Sequence, residues 1–207
     1  MELSVSVLNA KNKEETIKIL NSTDISYIHL DVMDGNFVSQ TSLPIEEIKS
    51  LSNISSKKID LHLMVSNPLE YIEEIKNISN IEYITIHLEL DKDIKEILKK
   101  IKEYGYKAGL SIKPNTKVEE ILPYIEYLYL VLLMTVEPGL GGQPFLEESI
   151  NRLKELKKII PNNIKIEVDG GINDKTIKYV EESDLVVVGS YITKSDNIIE
   201  RINSLNV

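Results

Sequence analysis

Short runs of β-branched and aliphatic residues alternate with longer amphipathic runs along the whole chain of 207 residues. The runs typical of strands cover residues 3–8, 27–32, 58–63, 83–88, 107–112, 128–135, 164–169 and 185–189. Between them, segments such as 68–78 and 92–105 are amphipathic. In the latter, Ile94, Ile97, Leu98 and Ile101 fall on one helical face.

Alternating strands and helices predict a parallel sheet with crossover helices. An open, doubly wound sheet also fits the alternation. Eight units of near-equal length without a break in the pattern favour a closed (β/α)₈ barrel of the TIM-barrel type. The length and the absence of a linker predict that residues 1–207 form a single domain.

Composition excludes several classes of function. The chain has no cysteine, so thiolate chemistry is excluded and a metal site must use oxygen and nitrogen ligands. The formal net charge of −9 argues against a nucleic-acid partner. The most apolar run, residues 127–136, is too short for a membrane span, and the N-terminus lacks the pattern of a secretory signal. We therefore expect a cytoplasmic protein with no membrane partner.

Polar residues on one face of the second strand are the first candidates for a site. His29, Asp31 and Met33 alternate, so all three point to the same side, which in a barrel can be the interior. A buried histidine and aspartate are costly unless they pair or bind a metal. A hydrogen-bonded core histidine beside a helix-capping aspartate explains this segment equally well when it is considered alone.

Two further strand ends repeat the pattern. His62 and Met64 share a face at the end of the third strand, and Asp169 ends the seventh. Asp169 could cap a helix, but Asn173 is better placed to cap one that begins at Asp174. Together, two imidazoles and two carboxylates suit one divalent metal ion such as Zn²⁺, Fe²⁺, Mn²⁺ or Co²⁺.

Methionines and glycines mark the same end of the predicted barrel. Met33, Met64 and Met134 all lie at strand ends, as core filling or as a water-poor cap over a reacting carbon. Six of nine glycines lie in the turns after strands six, seven and eight: Gly139, Gly141, Gly142, Gly170, Gly171 and Gly189. Such turns bind phosphate through backbone N–H groups, and Ser190 would add a hydroxyl. The patterns of P-loops and of dinucleotide sites are absent.

These segments resemble the ribulose-phosphate 3-epimerase family over residues 3–190. The resemblance is carried by SVSVL, HLDVMDGNFV, LHLMVSNP, MTVEPGLGGQPF, EVDGGIN and VVGS, in that order. It implies a TIM barrel, one divalent metal per subunit, no organic cofactor, and a homo-oligomer, either dimer or hexamer. The implied reaction is epimerisation at C3 of D-ribulose 5-phosphate to D-xylulose 5-phosphate in the pentose phosphate pathway.

The resemblance also implies roles for single residues. The metal ligands would be His29, Asp31, His62 and Asp169, and the two aspartates would be acid and base on opposite faces of an enediolate, under the methionine cap. The implied substrate contacts are Ser6, His62, Gly139, Leu140, Gly141, Gly142, Asp169, Gly170, Gly171, Gly189 and Ser190.

Some positions depart from the family pattern. Residues 39–44 read SQTSLP where Pro-Asn is usual, Leu140 replaces a phenylalanine, and Asn36 replaces a frequent histidine. D-allulose-6-phosphate 3-epimerase has nearly the same motifs and is the alternative substrate assignment, although the paired glycines in both turns favour the pentulose enzyme.

Lysines, carboxylates and the third histidine bear on the alternatives to this assignment. A decarboxylating lyase fits less well because Lys58 and Lys107 begin strands, although Lys113 follows one. A silent phosphate-binding barrel would not need two buried carboxylates. For His87, on the fourth strand, a hydrogen-bonded core role is favoured over a ligand role.

Overall fold

The computed structural model covers residues 1–207, and its centre is a closed sheet of parallel strands. The barrel strands are β1 Glu2–Ser6, β2 Tyr27–Asp34, β3 Lys58–Met64, β4 Ile81–His87, β5 Lys107–Ile112, β6 Leu130–Met134, β7 Lys165–Asp169 and β8 Leu185–Val188. Each strand pairs with the next, and β1 pairs with both β2 and β8. The predicted TIM barrel is confirmed, and the open doubly wound alternative is wrong.

The predicted strands all occur, with ends that differ by at most two residues, as in 128–135 against Leu130–Met134. One element was not predicted. The two-residue strand Thr41–Ser42 pairs antiparallel with the end of β2, where Met33 faces Ser42. This strand belongs to the atypical segment 39–44 and folds it back over the end of β2.

Helices surround the barrel. They are α1 Lys13–Leu20, α2 Ile45–Ile54, α3 Pro68–Ile75, α4 Ile94–Glu103, α5 Ser149–Ile159, α6 Ser190–Thr193 and α7 Ile198–Ser204. Ile94, Ile97, Leu98 and Ile101 are the buried face of α4, as their spacing predicted. No helix combines the length and the apolar character needed to cross a bilayer.

Two crossovers contain 3₁₀ helices in place of α-helices. One is Val118–Tyr127, which contains Pro123, a residue that cannot donate the hydrogen bond an α-helix interior requires. The other is Ile177–Tyr179, so the prediction of a helix beginning at Asp174 is wrong. The Asn173 side chain does accept hydrogen bonds from the N–H groups of Lys175 and Thr176, but it closes a tight turn there.

The register of the strands determines where the site lies. Residues of β2 that face outwards, such as Ile28 and Leu30, join a core of 48 buried residues between the barrel and the helices. In the alternate positions, Asp31 lies beside His62 and Met33 beside Met64 on the neighbouring strand. On the other side of the barrel, Met134 lies beside Asp169. The polar residues therefore meet inside the barrel at its C-terminal end.

Candidate active site

Four side chains from three strands converge at the C-terminal end of the barrel. The Nε2 atom of His29 is 3.3 Å from Oδ1 of Asp31, and Nδ1 of His62 is 3.5 Å from the same oxygen. With a carboxylate oxygen of Asp169, their potential ligand atoms all lie within 4.8 Å of one another. The structure thus brings together all four residues that the sequence analysis singled out as metal ligands.

The unpartnered atoms of this group show that it fits a cation. Nε2 of His29 and Nδ1 of His62 are buried and have no hydrogen-bond partner. Leaving such a group unpaired costs about 1–3 kcal/mol. The opposite nitrogen of each ring is occupied, because Nδ1 of His29 lies 2.6 Å from Asp60 Oδ2 and Nε2 of His62 lies 2.8 Å from Nε2 of His87. Each imidazole therefore presents a free nitrogen to the group, which is the arrangement of a metal ligand with an outer-shell partner.

The charges of the group lead to the same conclusion. Burial opposes protonation of His29, but the carboxylates of Asp60 and Asp31 raise its pKa well above its ordinary value. Burial raises the pKa of Asp31, yet its interactions with His29 and His62 are stronger and hold it below its usual range. For Asp169, burial and the nearby Asp31 carboxylate raise the pKa to about 6. This concentration of buried carboxylates favours a positive charge among them, supplied by a proton or by a metal ion.

Hydrogen bonds hold the two aspartates in place. The hydroxyl of Ser6 donates to Asp31 Oδ2 at 2.6 Å. The carbonyl of Asp169 accepts from both the backbone N–H and the hydroxyl of Thr135, each at 2.8 Å. The carboxylate of Asp31 is thus held by a side chain of β1, and the backbone at Asp169 is held by the residue that follows β6.

A cavity of about 720 Å³ opens from this group to the surface. Met33, Met64 and Met134 are almost completely buried and line its inner end, where the sequence analysis placed a cap over the reacting carbon. All predicted substrate contacts except His62, which is fully buried, line the cavity: Ser6, Gly139, Leu140, Gly141, Gly142, Asp169, Gly170, Gly171, Gly189 and Ser190.

The turns at the outer end of the cavity pack closely around two glycines. Gly171 has a φ of +70°, and a Cβ atom there would lie 2.4 Å from the backbone nitrogen of Phe145. A Cβ atom at Gly141 would lie 2.0 Å from Nδ2 of Asn9. Asn9 in turn donates to the Ser190 hydroxyl at 2.9 Å, which orients that hydroxyl beside the turns. Turns of this kind can direct backbone N–H groups at an anion.

Several residues around the group were not predicted from the sequence. Asp60 and Glu167 are fully buried inside the barrel, two residues before His62 and Asp169 respectively. The period-two alternation that identified the ligands could have found both. Glu167 has no hydrogen-bond partner at either oxygen, and burial together with the Asp60 carboxylate raises its pKa well above its ordinary value. Asn9 lines the cavity without any signal in its local pattern.

His87 lies behind His62 and outside the four-residue group. It is fully buried, and burial lowers its pKa to about 4 despite the hydrogen bond to Glu89. Its contacts with His62 and Glu89 make it a hydrogen-bonded core histidine, the role favoured from the sequence.

Comparison with known proteins identifies the family of this chain. Residues 1–193 match the model of the ribulose-phosphate 3 epimerase family. The chain is 38% identical over 172 residues to the cytoplasmic isoform of ribulose-phosphate 3-epimerase from Oryza sativa subsp. japonica, covering 80% of this chain and 75% of the relative. It is 36% identical over 200 residues to ribulose-phosphate 3-epimerase from Helicobacter pylori, covering 94% of this chain and 92% of that relative.

The solved structures support the fold at lower identity. 3-Hexulose-6-phosphate synthase from Salmonella typhimurium superposes with a TM-score of 0.70 at 16% identity, over 99% of this chain and 96% of that one. At this identity the likeness concerns the barrel alone.

Proposed function

Because this chain belongs to the ribulose-phosphate 3-epimerase family, we propose that it inverts C3 of D-ribulose 5-phosphate to give D-xylulose 5-phosphate. The chain is an enzyme of the isomerase class. The observation that carries the proposal is the convergence of His29, Asp31, His62 and Asp169, of which the two aspartates line the inner end of one cavity.

These four residues would hold one divalent cation. Two imidazole nitrogens and two carboxylates suit Zn²⁺, Fe²⁺, Mn²⁺ or Co²⁺. When bound, such a cation supplies Lewis-acid stabilisation of negative charge on the substrate's oxygens. The unpartnered nitrogens of His29 and His62 are the structural support for this assignment.

Asp31 and Asp169 would move the protons. The C3 proton lies next to the C2 ketone, so its removal leaves an enediolate. Inversion then requires a base on one face of C3 and an acid on the other. Asp31 on β2 and Asp169 on β7 are separated in the barrel by β1 and β8, and can flank a substrate from two sides. Each would be the base in one direction of the reaction and the acid in the other.

The remaining contacts would bind and shield the substrate. Ser6 and His62 lie beside Asp31, and the methionines Met33, Met64 and Met134 would keep water from the reacting carbon. The turns at residues 139–142 and 170–171, with Gly189 and Ser190, would bind the phosphate through backbone N–H groups and a hydroxyl. Local donors of this kind let a protein with a net charge of −9 bind an anion.

A deuterium-exchange assay over a panel of ketose phosphates, with defined metals, tests the proposal. We expect exchange of the C3 proton with solvent to be fastest for D-ribulose 5-phosphate. Faster exchange with D-allulose 6-phosphate would assign the chain to the hexulose reaction instead. Failure to exchange with any ketose phosphate in the presence of metal would favour a silent phosphate-binding barrel.

We also propose that residues 1–207 act as one domain in a cytoplasmic homo-oligomer, either dimer or hexamer. The single closed sheet supports the assignment of one domain. The Oryza sativa relative, whose name describes a cytoplasmic isoform, supports the location. The oligomer is an expectation from the family, and analytical ultracentrifugation of the purified protein tests it.

A further inference from the structure

We propose that His87 is a positioning residue for His62, and that Glu89 completes a buried relay that keeps Nδ1 of His62 free for the metal. This inference rests on the metal site proposed above. The relay is defined as His62, His87 and Glu89. Nothing in the reaction itself requires His87 or Glu89 to touch the substrate, and neither lines the cavity.

The relay begins with the contact between two imidazole rings. Nε2 of His62 and Nε2 of His87 are 2.8 Å apart, and the rings stack with centroids 4.9 Å apart at 30°. Both residues are fully buried, so water cannot supply a partner to either nitrogen. At this distance one nitrogen must carry a proton and the other must accept it.

The carboxylate of Glu89 determines which of the two Nε2 atoms, that of His62 or that of His87, is the donor. Nδ1 of His87 lies 3.2 Å from Oε2 of Glu89, a contact in which the histidine must be the donor because a carboxylate only accepts. A neutral His87 with its proton on Nδ1 has a lone pair on Nε2, so it accepts the proton of His62 Nε2. A neutral His62 with its proton on Nε2 has a lone pair on Nδ1. That lone pair is on the unpartnered atom that faces Asp31.

Glu89 is itself held in one orientation. Its Oε1 accepts the backbone N–H of Lys113 at 2.7 Å and also the hydroxyl of Thr116. The carbonyls of the same two residues accept the guanidinium of Arg152, at 2.8 and 2.7 Å. The loop after β5 is therefore held by Glu89 on one side and by Arg152 on the other. Because Oε1 of Glu89 is engaged by this loop, Oε2 remains directed at His87.

Isosteric substitution of Glu89 gives the sharpest test of this relay. In Glu89→Gln the side-chain oxygen is expected to stay with the Lys113 N–H, which directs the amide NH₂ at Nδ1 of His87. Nδ1 must then accept, the proton of His87 moves to Nε2, and His62 is left with its proton on Nδ1. The expected result is weaker metal binding without any loss of side-chain volume.

The experiment is titration of the metal-free full-length protein with Co²⁺, followed by visible absorption and with thermal melting of each metal-free variant alongside. We expect His87→Phe and Glu89→Gln to weaken Co²⁺ binding by about 10- to 100-fold and to change the absorption bands, since outer-shell partners typically contribute that much. His87→Gln, whose side-chain oxygen can still accept from His62, should recover most of the affinity.

The matched control is Thr85→Val, a change of similar volume on the same strand. Thr85 is fully buried two residues before His87, and its hydroxyl has no hydrogen-bond partner. Its substitution should leave Co²⁺ binding unchanged. If His87→Phe and Glu89→Gln bind Co²⁺ with the affinity and spectrum of the wild type, the relay is wrong and the metal site stands. If the wild type itself binds no Co²⁺, the metal site fails and the relay with it.

Discussion

The two ends of the cavity are built from different parts of the chain. At the inner end, Asp31 lines the cavity, and His29 and His62 lie behind it. All three are buried side chains on strands whose backbones are fixed by the sheet. At the outer end, the cavity is lined by turns in which Gly141 and Gly142 are exposed and carry no side chain.

The difference follows from what each end has to bind. Metal coordination and proton transfer need side-chain atoms at fixed distances, which rigid strands with supporting hydrogen bonds provide. A phosphate is bound well by backbone N–H groups, which can converge only where the chain turns sharply. Substitutions at the inner end should therefore act on turnover, while those at the outer end should act on substrate binding and on the turn itself.

Removal of the metal should have the largest effect. Chelation is expected to abolish epimerisation, because the stabilisation of the substrate's negative charge is lost. The fold should persist, since its 48-residue core lies between the outward faces of the strands and the helices, and includes none of the four ligands. Activity assays before and after readdition of metal, with circular dichroism, measure both effects. Full activity in a demonstrably metal-free sample would remove the metal from the mechanism.

Substitution of either proton-transfer residue should have the next largest effect. We expect Asp31→Asn and Asp169→Asn each to lower turnover by about 10²- to 10⁴-fold while the fold is retained, because an amide cannot exchange the proton. KM for ribulose 5-phosphate should change far less than kcat. Steady-state kinetics measure the two separately.

Asp91→Asn is the control for these variants, because Asp91 is exposed and outside the cavity. Turnover near the wild-type value in either active-site variant would refute its role as acid or base. A rise in KM at constant kcat would mean that the inner end binds substrate rather than performing the chemistry.

At the outer end, Gly171→Ala should cost stability as well as affinity. An alanine at a φ of +70° is strained, and its Cβ atom would lie 2.4 Å from the Phe145 nitrogen. Strain and overpacking together are expected to lower the free energy of unfolding by about 3 kcal/mol and to raise KM as the turn shifts. Denaturant unfolding and steady-state kinetics test this prediction.

Gly105→Ala separates the cost of backbone strain from the cost of overpacking. Gly105 has a φ of +86°, but a Cβ atom there would have no neighbour within 4 Å, and the residue lies outside the cavity. We expect a loss of about 1 kcal/mol from backbone strain and an unchanged KM. Equal losses of stability in the two variants would show that the contact with Phe145 is relieved without cost.

The barrel and the inner end of the cavity could be predicted from the sequence because both depend on short-range periodicity. Alternation along β2 and β3 placed His29, Asp31 and His62 on the interior face, and the structure brings them together with Asp169. The same rule applied one step further would have identified Asp60 and Glu167. Their roles depend on the register between strands, as with His29 beside Asp60, which a single sequence does not reveal.

Other features depended on contacts between distant parts of the chain. The relay joins β3 to β4 and to the loop after β5, and Asn9 reaches Ser190 across 181 positions. The strand Thr41–Ser42 and the 3₁₀ helix Ile177–Tyr179 were also not predicted, since both replace a regular pattern with short local turns. The roles of the individual site residues stay predictions until the variants are measured.

Ser190→Ala should give the smallest effect and the cleanest test of the outer end. The substitution removes a hydroxyl that lines the cavity and is oriented by Asn9, but it leaves every backbone N–H group of the turns in place. A hydrogen bond to a charged group contributes about 1.5–3 kcal/mol, and exposure of this end to water favours the lower figure, which corresponds to a rise in KM of roughly tenfold. Because the hydroxyl is remote from C3, kcat should be unchanged, and the variant should bind inorganic phosphate more weakly in the same proportion. A fall in kcat with unchanged KM would mean that the hydroxyl acts on the reacting carbon, and the division between the two ends of the cavity would then be wrong.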